Sequence, residues 1–212
     1  MKRLVFTMFA ACAIIVTANA QSAQYNAKMK EGILLMDSAK TIQDHKDVKA
    51  FFERIANAEK TQWLPFYYAA LANTTIGWMD AKIDKDALST ETLALLDKAE
   101  AINKNSEIYC VRQMAYTQQM IVDPMTRYMT YGMKAQQALA TAKQLDPANP
   151  RPYYLEGVGL KDTPPQFGGG CDKAKPILQK ALDLYAAYKP LTDLHPTWGK
   201  NNAAEALEDC NK

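Results

Sequence analysis

The sequence predicts an all-α protein, a solenoid of about four antiparallel helical hairpins followed by a C-terminal tail. Three observations lead there. Apolar residues recur at three- and four-residue spacing through most of the chain, the period of a helix with one buried face. Prolines are bunched rather than spread. Between Gln21 and Asp123 the only proline is Pro65, whereas Asp146-Pro147-Ala148-Asn149-Pro150-Arg151-Pro152 and Thr163-Pro164-Pro165-Gln166-Phe167-Gly168-Gly169-Gly170 are sharp breaks. Strand-like alternation bounded by hairpin turns is scarce.

In chain order, residues 1–20 read as a secretory signal peptide. Met1-Lys2-Arg3 is the charged start, the run from Leu4 to Val16 is apolar, and Ala18-Asn19-Ala20 is the cleavage site. The run is too short to cross a bilayer comfortably. A lipid on Cys12, which would give an outer-membrane lipoprotein, is the less favoured alternative. Cleavage leaves residues 21–212 as one helical repeat domain, exported to the periplasm, with no second stretch long enough to span a membrane.

Helices are expected near residues 25–41, 45–58, 62–79, 90–103 and 106–121. Asp44, Ser89 and Ser106 serve as caps, and Pro65 falls in a first turn, where its missing N–H costs little. The clearest helix covers 124–145. Asp123 caps it, Pro124 opens it, and Tyr128, Tyr131, Ala135, Ala138, Leu139, Ala142 and Leu145 make one apolar face. Asn149-Pro150 repeats the cap-then-proline start, followed by Tyr153, Tyr154, Leu155, Val158 and Leu160. Another helix runs over 172–188 from Asp172. A short one near 200–210 follows an irregular segment, and 189–212 is the tail.

Residues 124–188 carry the repeat most clearly. Ala135, Leu139 and Ala142 precede Pro147. Tyr153, Gly157 and Leu160 are then followed by Ala174, Leu178 and Ala181. Small residues let paired helices approach and large ones fill the gaps between them. The pattern resembles tetratricopeptide repeats, with a longer turn over 163–170 and weaker copies over 51–71 and 93–116. Asp146-Pro147-Ala148-Asn149-Pro150-Arg151, the Phe167-Gly168-Gly169-Gly170 turn and Leu194-His195-Pro196-Thr197-Trp198-Gly199-Lys200 resemble a narrower group. It is a family of exported tetratricopeptide-like proteins from Bacteroidetes-type bacteria, without an assigned activity. The Phe-Gly-Gly turn is also similar to one in periplasmic tetratricopeptide partners of TRAP-type transporters. That likeness implies a possible part in solute uptake.

Charge excludes some functions. The chain has 25 Lys+Arg and 23 Asp+Glu, but Lys2 and Arg3 belong to the signal. The mature chain is therefore neutral, which argues against a nucleic-acid surface. His45 and His195 are the only histidines, and neither has a ligand at a recognised metal spacing. His45, beside a cap, is expected in solvent. Gly168-Gly169-Gly170-Cys171-Asp172-Lys173 lacks the spacing and the Lys-Ser/Thr pair of a phosphate loop, and Asp84 and Asp86 read as a solvated connector. No catalytic motif, metal or cofactor is indicated, so an enzyme is not expected.

Three cysteines remain after export. Cys171 opens a helix and Cys210 sits near the C-terminus, so a bridge between them would staple the tail to the repeats. Three free thiols are the alternative. Cys110, between Tyr109 and Val111, reads as a buried thiol. The expected function is a protein-interaction module that binds a protein or peptide on the concave face of its first helices. Leu64, Tyr68, Met114, Arg151 and Tyr154 are the candidate anchors, beside packing residues Trp63, Tyr109 and Tyr153. An accessory role in binding a small solute is the alternative.

Overall fold

The computed structural model describes residues 23–212. The expected export signal, its expected cleavage site and Cys12 lie outside the described residues. Every regular element among the described residues is helical. In order they are α1 (23–38), α2 (Ile42–Ala58), α3 (Trp63–Met79), α4 (Lys85–Ile102), α5 (Ser106–Ile121) and α6 (Pro124–Arg127). A π-helical turn (Tyr128–Gly132) leads into α7 (Met133–Leu145), followed by α8 (Arg151–Asp162), a 3-10 turn (Pro165–Phe167), α9 (Cys171–Ala187) and α10 (Lys200–Asp209).

Sequence neighbours pack together: α2 on α3, α3 on α4, α4 on α5, α5 on α7, α8 on α9 and α9 on α10. The connections from α2 to α7 are short, which makes successive helices there antiparallel. Helix α5 also touches both α3 and α8, so α3, α5 and α8 form a row. Helix α3 has almost no polar face. Tyr67, Ala69, Ala70 and Ala72 are fully buried, and Tyr68 stacks on Phe52 of α2 with ring centroids 4.9 Å apart. Small residues set the closest approach elsewhere. A Cβ on Gly157 of α8 would meet Leu178 Cδ2 of α9 at 2.6 Å.

Several local expectations are corrected. Helix α2 starts earlier than expected. Thr41 is its cap, and Asp44 is the third residue of a capping box, accepting from the Thr41 N–H at 2.8 Å. Helix α4 begins at Lys85 with Asp84 as its cap, while Ser89 is buried inside it. Asp84 and Asp86 are thus not a loose connector, because Asp86 pairs with Arg127 at 2.7 Å. Asn105, not Ser106, caps α5, accepting from the Ile108 N–H at 3.2 Å. His45 is 6% exposed rather than solvated, and burial lowers its pKa.

The expected continuous helix over 124–145 contains the π turn. One wide turn changes the phase of the apolar face. Ala135, Ala138 and Ala142 stay buried, whereas Tyr128 is turned out to 45% exposure. Gly132 permits the turn, since a Cβ there would lie 2.7 Å from the Tyr128 ring. The 163–170 connection is held by its glycines. Gly168 and Gly170 have φ of 90° and 97°, and a Cβ on Gly169 would meet the Thr163 carbonyl oxygen at 2.1 Å.

Candidate functional site

The segment between α9 and α10 is irregular, yet it is fixed along its length by the α3–α5–α8 row. Tyr68 on α3 donates to the Leu194 carbonyl at 2.9 Å. Arg151 on α8 and Tyr188 both donate to the Pro196 carbonyl. The Trp198 indole N–H donates to the Tyr67 hydroxyl at 2.7 Å, and Tyr185 of α9 donates to the Trp198 carbonyl at 3.1 Å. Carbonyls that have no helical or sheet partner are thereby satisfied by side chains. Leu194 and Pro196 are buried. The tail lies on the very helix faces that the sequence reading reserves for a partner.

Arg151 anchors this arrangement. Its side chain is fully buried, and Nη1 donates to Glu107 Oε1 of α5 at 2.8 Å. Asn149 Nδ2 donates to the same oxygen at 2.9 Å, and Asn149 Oδ1 accepts from the Arg151 N–H at 3.0 Å. The guanidinium also lies over the Tyr188 and Trp198 rings, 4.7 Å and 5.3 Å from their centroids. Burial pushes the Glu107 carboxyl up to about 7, against the pull of Arg151 and the Asn149 amide.

The tail also closes one side of a pocket. Tyr25, Asn26 and Lys30 of α1, Gln62, Trp63 and Leu64 at the start of α3, and residues 192–195 of the tail line an open pocket of about 470 Å³. Thr192 Oγ1 lies 2.8 Å from His195 Nδ1 and accepts from the Leu194 N–H at 3.2 Å. The His195 N–H donates to the Thr192 carbonyl at 3.0 Å, so the ring is presented by a tight turn. It meets the edge of Trp63, with centroids 5.8 Å apart. Burial lowers the His195 pKa. Among the described residues the buried Tyr25 hydroxyl has no hydrogen-bond partner, and burial raises its pKa to about 12, with the Glu59 charge adding to the shift. At the rim Lys30 pairs with Asp193 at 2.8 Å, both well exposed.

The structure distributes the expected anchors differently. Arg151 and Tyr68 are not surface anchors, because their polar atoms are spent holding the tail. Met114 packs partly buried against the core. Tyr154 is half-buried, its ring set edgewise to Trp198 at 6.3 Å. Leu64 alone of the five lines the pocket, although it is only 6% exposed. Trp63, expected to pack, lines it too. Cys171 and Cys210 form a disulfide, and Cys110 is a buried free thiol. Among the described residues no three His, Cys, Asp or Glu side chains gather as a metal cage, and no helix is long and apolar enough to cross a membrane.

No family model and no curated protein sequence matches the chain. A solved structure does. It is the HusA haemophore from Porphyromonas gingivalis, 35% identical, covering 88% of this chain and 92% of the haemophore, with a TM-score of 0.80. This chain belongs to the HusA haemophore family. The kinship spans nearly the whole of both chains. The haemophore comes from a Bacteroidetes bacterium, the group to which the sequence resemblance pointed.

The sequence reading set His195 aside as a metal ligand because no second ligand stands near in sequence, and its place beside Trp63 at the pocket comes only from the fold. A signal was nonetheless present. Leu194-His195-Pro196-Thr197-Trp198 places a histidine and a tryptophan around a proline in a segment too irregular for a helix, where side chains serve sites rather than a helix face.

Proposed function

We propose that this chain is an exported haemophore-type protein that binds a tetrapyrrole in the pocket between α1, the start of α3 and the tail. The observation that carries the proposal is the near full-length kinship with a haemophore. The pocket supports it, since its volume of about 470 Å³ lies within the roughly 300–1,000 Å³ usual for small-ligand sites. Trp63, Leu64 and Tyr25 offer apolar and aromatic surface to a flat macrocycle. Lys30, Asn26 and Gln62 offer donors to its carboxylates. The helix pairs are taken as tetratricopeptide-type hairpins whose groove is filled by residues 188–199. A peptide partner on that face would have to displace those residues, so small-ligand binding outranks the interaction-module reading. Binding and release, without a catalytic step, account for the side chains around the pocket. Residues 1–20, as an export signal, put the protein outside the cytoplasm.

The test is titration of the chain over 21–212 with haemin and with metal-free protoporphyrin IX. Quenching of tryptophan fluorescence and the Soret absorbance follow binding. Saturation at one ligand per chain, weakened by Trp63→Ala with helicity unchanged, is the expected result. Absence of saturable binding of either compound rejects the proposal.

A further inference from the structure

We propose that Met125, Met129 and Met133 form a thioether site for a soft monovalent cation, Cu(I), on the outer face of the segment from α6 to α7. The proposal does not depend on tetrapyrrole binding, since none of the three lines the pocket. Four of the chain's 10 methionines fall between residues 120 and 133, so sulfur is concentrated in this one segment. Met125, Met129 and Met133 follow one another at intervals of four, and they are 83%, 75% and 48% exposed. A thioether is a neutral, polarisable donor, and among metal ions such soft donors favour Cu(I). Thioethers lie outside the His, Cys, Asp and Glu set from which the usual metal cages are built.

The π turn is what lines the three up. In a regular α-helix residues four apart drift by about 40°, so Met133 would sit about 80° round from Met125. Here the Met133 N–H donates to the Tyr128 carbonyl, five residues back, and the turn holds about one residue more than an α turn. The step from Met129 to Met133 then rotates the other way and cancels most of the drift. Met129 is left as the middle member of a single stripe, one turn from each neighbour. The turn is supported from beneath. Gly132 is buried, and the place its Cβ would take is 3.0 Å from Met120 Sδ of α5 and 2.7 Å from the Tyr128 ring. A π turn inside an α-helix is a frequent mark of a functional site, and alignment of the sulfurs gives this one a purpose.

The polar groups around the stripe are already engaged. Asp123 accepts from the Thr126 N–H at 3.4 Å, and Asp86 of α4 holds Arg127 at 2.7 Å. The Tyr128 hydroxyl accepts from Gln136 Nε2 at 2.8 Å, and the Lys134 ammonium lies over the Tyr116 and Tyr131 rings. Hard cations, which take several oxygen ligands, are therefore not favoured here. Methionine is unbranched and flexible, so exposed neighbours one turn apart swing toward a shared ion at small cost. Leucine would serve an apolar contact face equally well. The sulfur adds a donor that leucine lacks, and that difference is what the test reads.

The experiment uses the whole mature chain with ¹³C-methyl-labelled methionine. Silver nitrate in chloride-free buffer supplies Ag(I), a soft cation of the same charge as Cu(I) that is stable in air. Saturable shifts of the Met125, Met129 and Met133 methyl signals at one ion per chain are expected, with the fully buried Met29 signal unmoved. Met129→Leu conserves volume on an exposed face and should weaken binding by about tenfold or more, while Met125→Leu and Met133→Leu each weaken it by about three- to fivefold. Zn(II) at the same concentrations should move none of the three signals. Cu(I), kept reduced by ascorbate without oxygen, should reproduce the silver shifts. The buried Cys110 thiol is the competing silver ligand, so each titration is repeated in Cys110→Ser. Absence of the methionine shifts, or their loss in Cys110→Ser, overturns the proposal. So does binding that survives Met129→Leu unchanged, that Zn(II) matches, or that silver shows and Cu(I) does not.

Discussion

Arg151 Nη1 donates to Glu107 Oε1 at 2.8 Å with both side chains out of solvent, and its other terminal nitrogen donates to the Pro196 carbonyl. One guanidinium thereby joins α8 to α5 and to the tail. Its partners are a single carboxyl group and two aromatic faces. Such a pair adds little over an apolar replacement of both members, but removing one member strands the other.

Arg151→Ala should therefore destabilise the fold by roughly 3–5 kcal/mol in urea unfolding at neutral pH. Adding Glu107→Gln should recover part of that loss, the more so as pH rises, because the stranded carboxyl must otherwise hold a proton that the unfolded chain releases. A single mutant as stable as wild type would show that the pair does not organise the core. Hydrogen exchange should rise first at residues 188–199, whose carbonyls lose their donor.

Glu107 also gives stability a pH dependence of unusual direction. Its pKa is raised from 4.5 to about 7. Between those values the folded chain keeps a proton that the unfolded chain has released. The contribution of this group is full below the unfolded value and is lost as pH rises through the folded one. The unfolding free energy of wild type relative to Glu107→Gln should fall by about 3 kcal/mol from pH 4.5 to 7.5. Urea titrations of both proteins at a series of pH values measure it, and parallel curves would contradict the buried, protonated carboxyl.

Legibility in the sequence followed the range of the interaction. Pro124 after Asp123, and the spacing of Ala135, Ala138 and Ala142, act within one or two turns, so the helix and its buried face were readable. The π turn inside that helix was not, because Gly132 is tolerated on any helical face until Met120 and Tyr128 press on it. Small residues marked close helix contacts correctly at Gly157 and Ala174. What the sequence could not give was the destination of the tail. Tyr68 and Leu194 are 126 residues apart, and Trp198 reaches Tyr67 across 131. Aromatics at positions flanking the packing residues look the same whether they await a partner or hold the chain's own segment. For the same reason Arg151 read as an exposed anchor, and the pocket that assembles from three distant segments had no local signature.

The Cys171–Cys210 bridge spans 39 residues and ties α10 to the start of α9. Its removal by Cys210→Ser should cost roughly 4 kcal/mol in the chain-entropy picture, less whatever order the unfolded chain retains. Ala206 and Cys210 pack on Ala174 and Leu178, so α10 should loosen before the earlier helices, which keep their own core. Non-reducing peptide mapping checks the linkage, and hydrogen exchange after reduction checks the order of opening. Exchange that rises uniformly over all helices would show that the bridge supports the whole fold.

The rim pair Lys30–Asp193 tunes the proposed site through charge. Both groups are well exposed and joined at 2.8 Å, and the Lys30 ammonium lowers the Asp193 pKa. A tetrapyrrole bearing carboxylates would draw Lys30 away from Asp193 and feel the acidic neighbour as a repulsion. Asp193→Asn should therefore strengthen haemin binding, and Lys30→Ala should weaken it, each by about two- to fivefold, the scale of an exposed ion pair. Both effects should shrink as salt rises from low to physiological strength, because exposed charges are screened within about 10 Å. Esterifying the carboxylates of the porphyrin removes the partner charge, so the two variants should then bind it as wild type does. If Lys30→Ala is silent with the free acid while Trp63→Ala is not, the macrocycle enters with its carboxylates turned away from α1. If both are silent, the ligand does not use this pocket.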